Sequence, residues 1–285
     1  MKTIVIQGLG EMGGSLAAAL YHQHHIIGVD QNTDIINEAC AKQIIHEGTT
    51  NLSAVAGKAD VIILATPVSV ILSTIKTLGQ LVLKDDVIIT DAGSTKQSIF
   101  EQAKIAFDQQ CITFIGGHAM AGTQNSGLDA VNPTLYQGVP YFLIPIDEQS
   151  KQNIPELKQI LQSIGANFTE IDTQQHDDLM AMISDVPHIA AFALVNAAVK
   201  QLGDAQVFGQ YVAGGFKDTT RIAGSNAKVW TDILLSNQDS IVDSLHVYTE
   251  ALKEIEIALT NGNRLELEAL LSRAQDSRQH LGEKA

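Results

Sequence analysis

The sequence predicts an α/β protein in which a doubly wound sheet, within residues 1–172, is followed by an all-helical domain, residues 173–285. Three observations lead there. Short runs rich in Val, Ile and Phe alternate with longer helical patterns as far as Asp172; the runs are continuously apolar rather than alternating; and beyond Asp172 only helical periods continue. A chain of 285 residues is long enough for two such domains. With 45% hydrophobic and 18% charged residues and only 6 Pro, disordered, collagen-like and coiled-coil classes are excluded.

The runs expected as strands are Thr3–Gln7, Ile26–Asp30, Val61–Thr66, Val87–Asp91, Ile112–Ile115, Tyr141–Ile146 and Phe168–Ile171. Bounded by Gly, Pro or Asp, they suit parallel strands covered by helices on both faces. Past the boundary, Asp172 or Thr173 caps a helix that includes Leu179 to Ile183. Ile189–Val199 is apolar all round, Ile241–Leu259 is amphipathic, and helix is expected to about Ala274. A helix that is apolar on every side needs cover that a small domain can hardly supply alone, so a homodimer formed through the helical domain is expected.

Lys and Arg number 18 against 32 Asp and Glu, a formal charge of −14. Such a field repels nucleic-acid phosphates and anionic membranes, and it obliges a small anionic substrate to find locally clustered cations. Cys40 and Cys111 show neither CxxC nor zinc spacing, so both read as core thiols in a reducing compartment, with no metal site. The chain enters a strand pattern at once, and the apolar stretch Val61–Leu72 is broken by Thr66, Pro67 and Ser69. A cytoplasmic, soluble protein is the expectation.

Gly8-Leu9-Gly10-Glu11-Met12-Gly13 follows the first strand directly and opens the helix-forming stretch Ser15–Leu20. Gly8 permits the tight turn, Gly10 lets the backbone approach a pyrophosphate, and Gly13 allows close helix packing, as in a Rossmann-like dinucleotide site. Leu9 and Met12, in the same loop, are grouped with these glycines as cofactor-binding. The second strand ends in Asp30, placed to accept hydrogen bonds from ribose hydroxyls and to repel a 2′-phosphate, and Gln31-Asn32 supply no compensating Arg. NAD is therefore the expected cofactor. Thr66 and Pro67 fall at a later strand end, where a cofactor-facing loop belongs, although the same residues also read as ordinary strand-to-helix punctuation.

Two further strand ends are polar and glycine-rich: Asp91-Ala92-Gly93-Ser94-Thr95-Lys96, and Gly116 to Thr123 around His118. Carboxyl ends of parallel strands are where open α/β sheets place ligands, so Ser94 and His118 are expected to meet at the nicotinamide. A neutral imidazole is poised near physiological pH to take a proton from an alcohol that is being oxidised.

GLGEMGGSL, DAGSTK, GGHAMAGT, SDVPH and GGFKDTTRIA, in that order and spacing, resemble the motifs of the prephenate dehydrogenase family, arogenate-using relatives included. The resemblance spans roughly residues 3 to 235. It implies NAD-dependent oxidative decarboxylation of prephenate to 4-hydroxyphenylpyruvate, a step towards tyrosine. It also implies His118 as the base and Ser94 as the residue orienting the substrate hydroxyl and the imidazole. Arg221 is implied as the grip on a carboxylate, with His188 near the substrate side chain; Thr123, just beyond the His118 loop, reads either as a substrate-facing hydroxyl or as a loop cap. Lys217 reads as a bridging or gating residue, and His176-Asp177-Asp178 as helix capping and dipole matching. Two positions depart from the pattern. Ala119 stands where a proline is common, and Asp185 stands where many relatives carry a second histidine, which opens the choice between prephenate and the amine-bearing arogenate. Among other classes, hydroxyacid-type dehydrogenases place a lysine in the first interdomain helix, and His176–Val199 has none. A non-catalytic NAD-sensing module leaves Ser94, His118 and Arg221 without a shared purpose.

Overall fold

The structure is a computed structural model that describes residues 1–108, 110, 112–122 and 127–281. Eight strands form one sheet in the order β3-β2-β1-β4-β5-β6-β7-β8. The strands are β1 (Thr3–Gln7), β2 (His25–Val29), β3 (Glu47–Thr49), β4 (Val61–Leu64), β5 (Ile88–Asp91), β6 (Thr113–Ala119), β7 (Pro140–Pro145) and β8 (Asn167–Glu170). Helices α1 (Glu11–Leu20), α2 (Thr33–Ala41), α3 (Val68–Leu78), α4 (Gln97–Phe107) and α5 (Glu148–Ile160) cover it. Because both faces are covered, the centres of the inner strands point apolar side chains to both sides. Ile6, Ile63 and Ile115 join one buried cluster, while Val5, Ile62 and Ile89 join the other.

Three features differ from the expected sheet. β3 is a three-residue edge strand, Glu-Gly-Thr, with no apolar run to announce it. β6 runs on to Ala119, so His118 sits on the strand itself rather than in the loop after it. β7 pairs with β6 antiparallel, and β8 then pairs parallel with β7. Among the described residues of the β6–β7 connection the regular element is a short 3₁₀ turn, Leu128–Ala130, not the crossover helix that a parallel return needs. The order reverses between β1 and β4, and their carboxyl ends open onto the crevice where such sheets bind ligands.

The helical part contains α6 (Thr173–Met180), a π-helical turn Ala181–Asp185, α7 (Val186–Leu202), α8 (Ala205–Phe208), α9 (Gly214–Thr220), α10 (Ala227–Ser236), α11 (Gln238–Thr260) and α12 (Arg264–His280). Asp172 caps α6 by accepting from Gln175 N. Helix continues to His280, six residues beyond the expected end at Ala274. The continuous helix Thr173–Leu202 is long and apolar enough to cross a membrane by length and composition alone. In α7 only Val186 and Ala191 are buried, while Leu194, Val199 and Leu202 are exposed by 40% or more. Ile257 and Leu259 of α11 are also more than half exposed, so apolar side chains of both α7 and α11 face outward. Cys40 is a half-buried free thiol packed against the core; Cys111 lies outside the described residues.

Candidate functional site

The turn after β1 exists because two glycines touch. Gly8 adopts φ +92°, and a Cβ on Gly13 would lie 1.9 Å from the Gly8 carbonyl oxygen, so α1 starts closer to the strand than any side chain allows. Gly10 differs, since a Cβ there meets nothing within 4 Å. It borders a cleft of about 330 Å³ lined by Gly10, Glu11, Met12, Thr66, Pro67 and Ser94 on the sheet side and by Val229, Asp232 and Ile233 of α10 on the other. Thr66 lines this cleft, and its buried hydroxyl has no hydrogen-bond partner among the described residues. An open backbone approach at a helix N-terminus together with an unused hydroxyl fits a dinucleotide. Gly8, Leu9 and Gly13 shape the loop from beneath. The Leu9 side chain is fully buried, and its N–H donates to Asp30 Oδ2 at 3.1 Å, while Asn32 N donates to Oδ1 at 3.0 Å. Asp30 is thus fixed at the end of β2 by two backbone donors.

A second cavity, of about 360 Å³, adjoins the first and shares Ser94 and Ile233 with it. Ser94, His118, Asp185, His188, Arg221 and Trp230 line it, so residues from β5–α4, β6, α7 and the stretch after α9 converge on one space. Thr123 lies outside the described residues. His188 stacks on Trp230 with ring centroids 3.4 Å apart and planes 22° from parallel, and its Nδ1 donates to the Ser184 carbonyl at 2.9 Å. Burial holds His188 below the usual imidazole range, the Ser184 carbonyl opposes this, and the nearby Arg221 charge adds to it. Ser184, Asp185 and His188, at the junction of the π-helical turn and α7, all line the cavity. Asp185 is buried, and desolvation pushes its carboxyl up to about 7 against the ordinary 3.8, with Asp177 adding to the rise and the Asn237 amide opposing it.

Beneath His118 lies a buried polar network that corrects the reading of His176-Asp177 as caps of their own helix. His118 Nδ1 is 2.9 Å from His176 Nε2, and His176 Nδ1 is 2.7 Å from Asp177 Oδ1. Asp177 does cap a helix, but a different one: its carboxylate accepts from Lys96 N and Gln97 N, at the start of α4. The Lys96 ammonium, fully buried, donates to Asp91 Oδ2 and to the Gly93 carbonyl. Asp91 in turn accepts from Gly93 N and Gly117 N, tying the Ser94 loop to the strand bearing His118. A Cβ on Gly117 would come 2.4 Å from the Asp91 carbonyl oxygen, which is why glycine precedes the histidine. Burial holds His118 well below the usual imidazole range, with the His176 and Lys96 charges acting in the same direction. His118 is therefore an unprotonated acceptor at neutral pH.

His176, Asp177, Lys96, Asp91 and Trp230 were not among the expected site residues. Lys96 and Asp91 lie within a motif that was singled out, yet only the fold shows that they pair. His176 is 58 positions from His118, a separation across which no local pattern speaks.

Comparison with known proteins agrees with this arrangement. Residues 16–170 match the family described as prephenate dehydrogenase, nucleotide-binding domain, and residues 172–273 match prephenate dehydrogenase, dimerization domain. The chain is 34% identical over 282 residues to a prephenate dehydrogenase of Lactococcus lactis, covering 98% of this chain and 77% of that protein. Among solved structures, prephenate dehydrogenase from A. aeolicus in complex with hydroxyphenyl propionate and NAD+ superposes with a TM-score of 0.90 at 29% identity, covering 99% of this chain and 98% of the other. Synechocystis arogenate dehydrogenase gives a TM-score of 0.83 at 30% identity, covering 97% of this chain and 99% of that one.

Proposed function

The chain belongs to the prephenate dehydrogenase family, and we propose that it is an NAD-dependent enzyme that converts prephenate to 4-hydroxyphenylpyruvate and carbon dioxide on the route to tyrosine. One observation carries this reading: a single cavity is lined by Ser94, His118, His188 and Arg221, and it shares Ser94 and Ile233 with the neighbouring cleft at the glycine loop. Residues 1–172 hold the cofactor, and residues 173–285 complete the substrate cavity and pair two subunits through the apolar surface of the helical part. A free Cys40 and the kinship with biosynthetic enzymes support a cytoplasmic location.

The loop at Gly8–Gly13 and the residues Asp30, Thr66 and Pro67 would hold NAD, which supplies the acceptor for the hydride leaving the ring carbon that bears the hydroxyl. His118 takes the hydroxyl proton, as its depressed basicity leaves it unprotonated to do so. Ser94 orients that hydroxyl against the imidazole. Arg221 neutralises a substrate carboxylate, which a protein of charge −14 cannot otherwise admit. His188, held by Trp230 and Ser184, faces the substrate side chain. Aromatisation drives loss of the ring carboxylate once the ketone forms, so the protein's tasks are geometry and proton removal.

The test is NADH appearance at 340 nm with prephenate and with arogenate, each with NAD and with NADP. Prephenate with NAD is expected to turn over, and absence of turnover in all four combinations would overturn the assignment. Asp30→Ala is expected to lower kcat/KM for NAD by about 10- to 100-fold, the value of a charge-assisted hydrogen bond, while changing that for NADP far less. A wild-type preference for NADP would contradict the role of Asp30.

A second reading, arogenate as substrate, is favoured by one observation: the Asp185 carboxyl lines the cavity beside Ser184 and His188, where it can face an ammonium. Asp185→Asn is then expected to lower the arogenate-to-prephenate ratio of kcat/KM by about tenfold or more. The same variant checks the burial of this group. Its folded pKa of about 7 exceeds the ordinary 3.8, so both states are protonated below that value, and the folding penalty grows as pH rises from 3.8 to 7. Asp185→Asn is therefore expected to raise Tm more at pH 8 than at pH 5.

A further inference from the structure

We propose that His176 and Asp177 of the helical part are positioning residues that hold His118 in the tautomer whose Nε2 lone pair faces the cavity, so that docking of α6 against the sheet is what arms the base. This rests on the reading of His118 as the proton acceptor.

The tautomers follow from donor and acceptor bookkeeping along the chain of contacts. Asp177 already receives the N–H groups of Lys96 and Gln97, so its carboxylate is an acceptor towards each described neighbour. The 2.7 Å contact with His176 then requires the proton on His176 Nδ1, since a bare nitrogen at that distance would set two lone pairs against each other. With Nδ1 protonated, neutral His176 presents a lone pair at Nε2. The 2.9 Å contact with His118 in turn requires the proton on His118 Nδ1. The remaining nitrogen of His118, Nε2, is left bare, as a general base needs. When His118 takes up the substrate proton, the bond from Nδ1 to His176 becomes charge-assisted and supports the imidazolium as it forms.

The arrangement is rigid. His176 and Asp177 are 0% and 2% exposed, and the Phe142 ring packs edge-on against His176 with centroids 5.6 Å apart. Asp177 is the clasp, because the same carboxylate that orients His176 also holds the start of α4, the helix that follows Ser94. The orientation of the base and the placement of the Ser94 loop are thus set by one side chain that belongs to neither strand end. A satisfied core histidine that merely fills space would make no use of which nitrogen carries its proton, whereas this role depends on it.

Nitrogen-15 NMR of the histidine side chains in the wild-type enzyme reads the tautomer directly. His118 is expected to carry its proton on Nδ1, and a proton on Nε2 would overturn the proposal. In kinetics, His176→Leu removes the acceptor and is expected to lower kcat by about 10- to 100-fold, part of what a positioned base contributes, with substrate KM and NAD binding changed less than about threefold. His176→Gln, whose Oε1 can accept from Nδ1, is expected to recover kcat to within about threefold of the wild type. A folded His176→Leu with wild-type kcat, or one whose loss is confined to KM, would overturn the proposal. Failure of the premise is separable from failure of the proposal: if His118→Asn is fully active the base reading falls, whereas an inactive His118→Asn beside a fully active His176→Leu removes the positioning role alone.

Discussion

His118→Asn is expected to lower kcat by about 10²–10⁴-fold while NAD affinity stays within about twofold, the outcome of a proposed base that lines the second cavity and is not among the residues lining the nucleotide cleft. Asparagine retains a hydrogen-bonding side chain of similar reach but cannot accept the proton at neutral pH. Binding can be followed through the single tryptophan of the chain, Trp230, which lines the substrate cavity against His188. A variant that lost cofactor binding in proportion to kcat would place His118 in the nucleotide site rather than over the substrate. The same residue makes a prediction in pH. Burial depresses its basicity well below the ordinary 6.5, so the active, unprotonated form persists as pH falls through that value. The wild-type kcat is therefore expected to stay level from pH 8 to below 6.5, and an acid limb centred on 6.5 would contradict the burial of the base.

Arg221→Ala is expected to raise the KM for substrate by about tenfold to over a hundredfold, the range of 1.5–3 kcal/mol for a hydrogen bond to a charged group, and to lower kcat less. Arg221 is an exposed residue that lines the cavity, and its charge is felt at His188. Arg221→Lys is expected to recover only part of the loss, since an ammonium supplies the charge but not the two parallel donors that match a carboxylate. An unchanged KM in Arg221→Ala would assign the carboxylate to another cation and move the substrate's orientation with it.

What the sequence made legible was local. The glycine fingerprint, the Asp30 strand end and the two polar strand ends are each written in a few consecutive residues, because tight turns and close backbone approaches are decided by which side chains are absent. Their convergence was legible too, since a doubly wound sheet brings its strand ends to one edge whatever the detailed packing. Hidden features were those that depend on partners far away in the chain. His176 and Asp177 sit next to the Asp172 cap and read as part of a helix start, and only the docking of α6 shows that they serve His118 and α4. Lys96 closes a polar segment whose residues alone do not show that its ammonium is buried against Asp91. The reversal at β7 escaped because apolar runs look alike in either direction, and β3 escaped because an edge strand of Glu-Gly-Thr needs only backbone pairing with β2.

The most direct test is a crystal structure of the protein with NAD+ and hydroxyphenyl propionate, the ligands present in the A. aeolicus enzyme. The phenol oxygen is predicted to lie about 3 Å from His118 Nε2, with Ser94 within hydrogen-bond reach of the same atom, the carboxylate on Arg221 and the ring against the wall shared with the nucleotide cleft. A complex with the ring seated elsewhere, or with His118 and Arg221 engaging separate ligand molecules, would contradict the account.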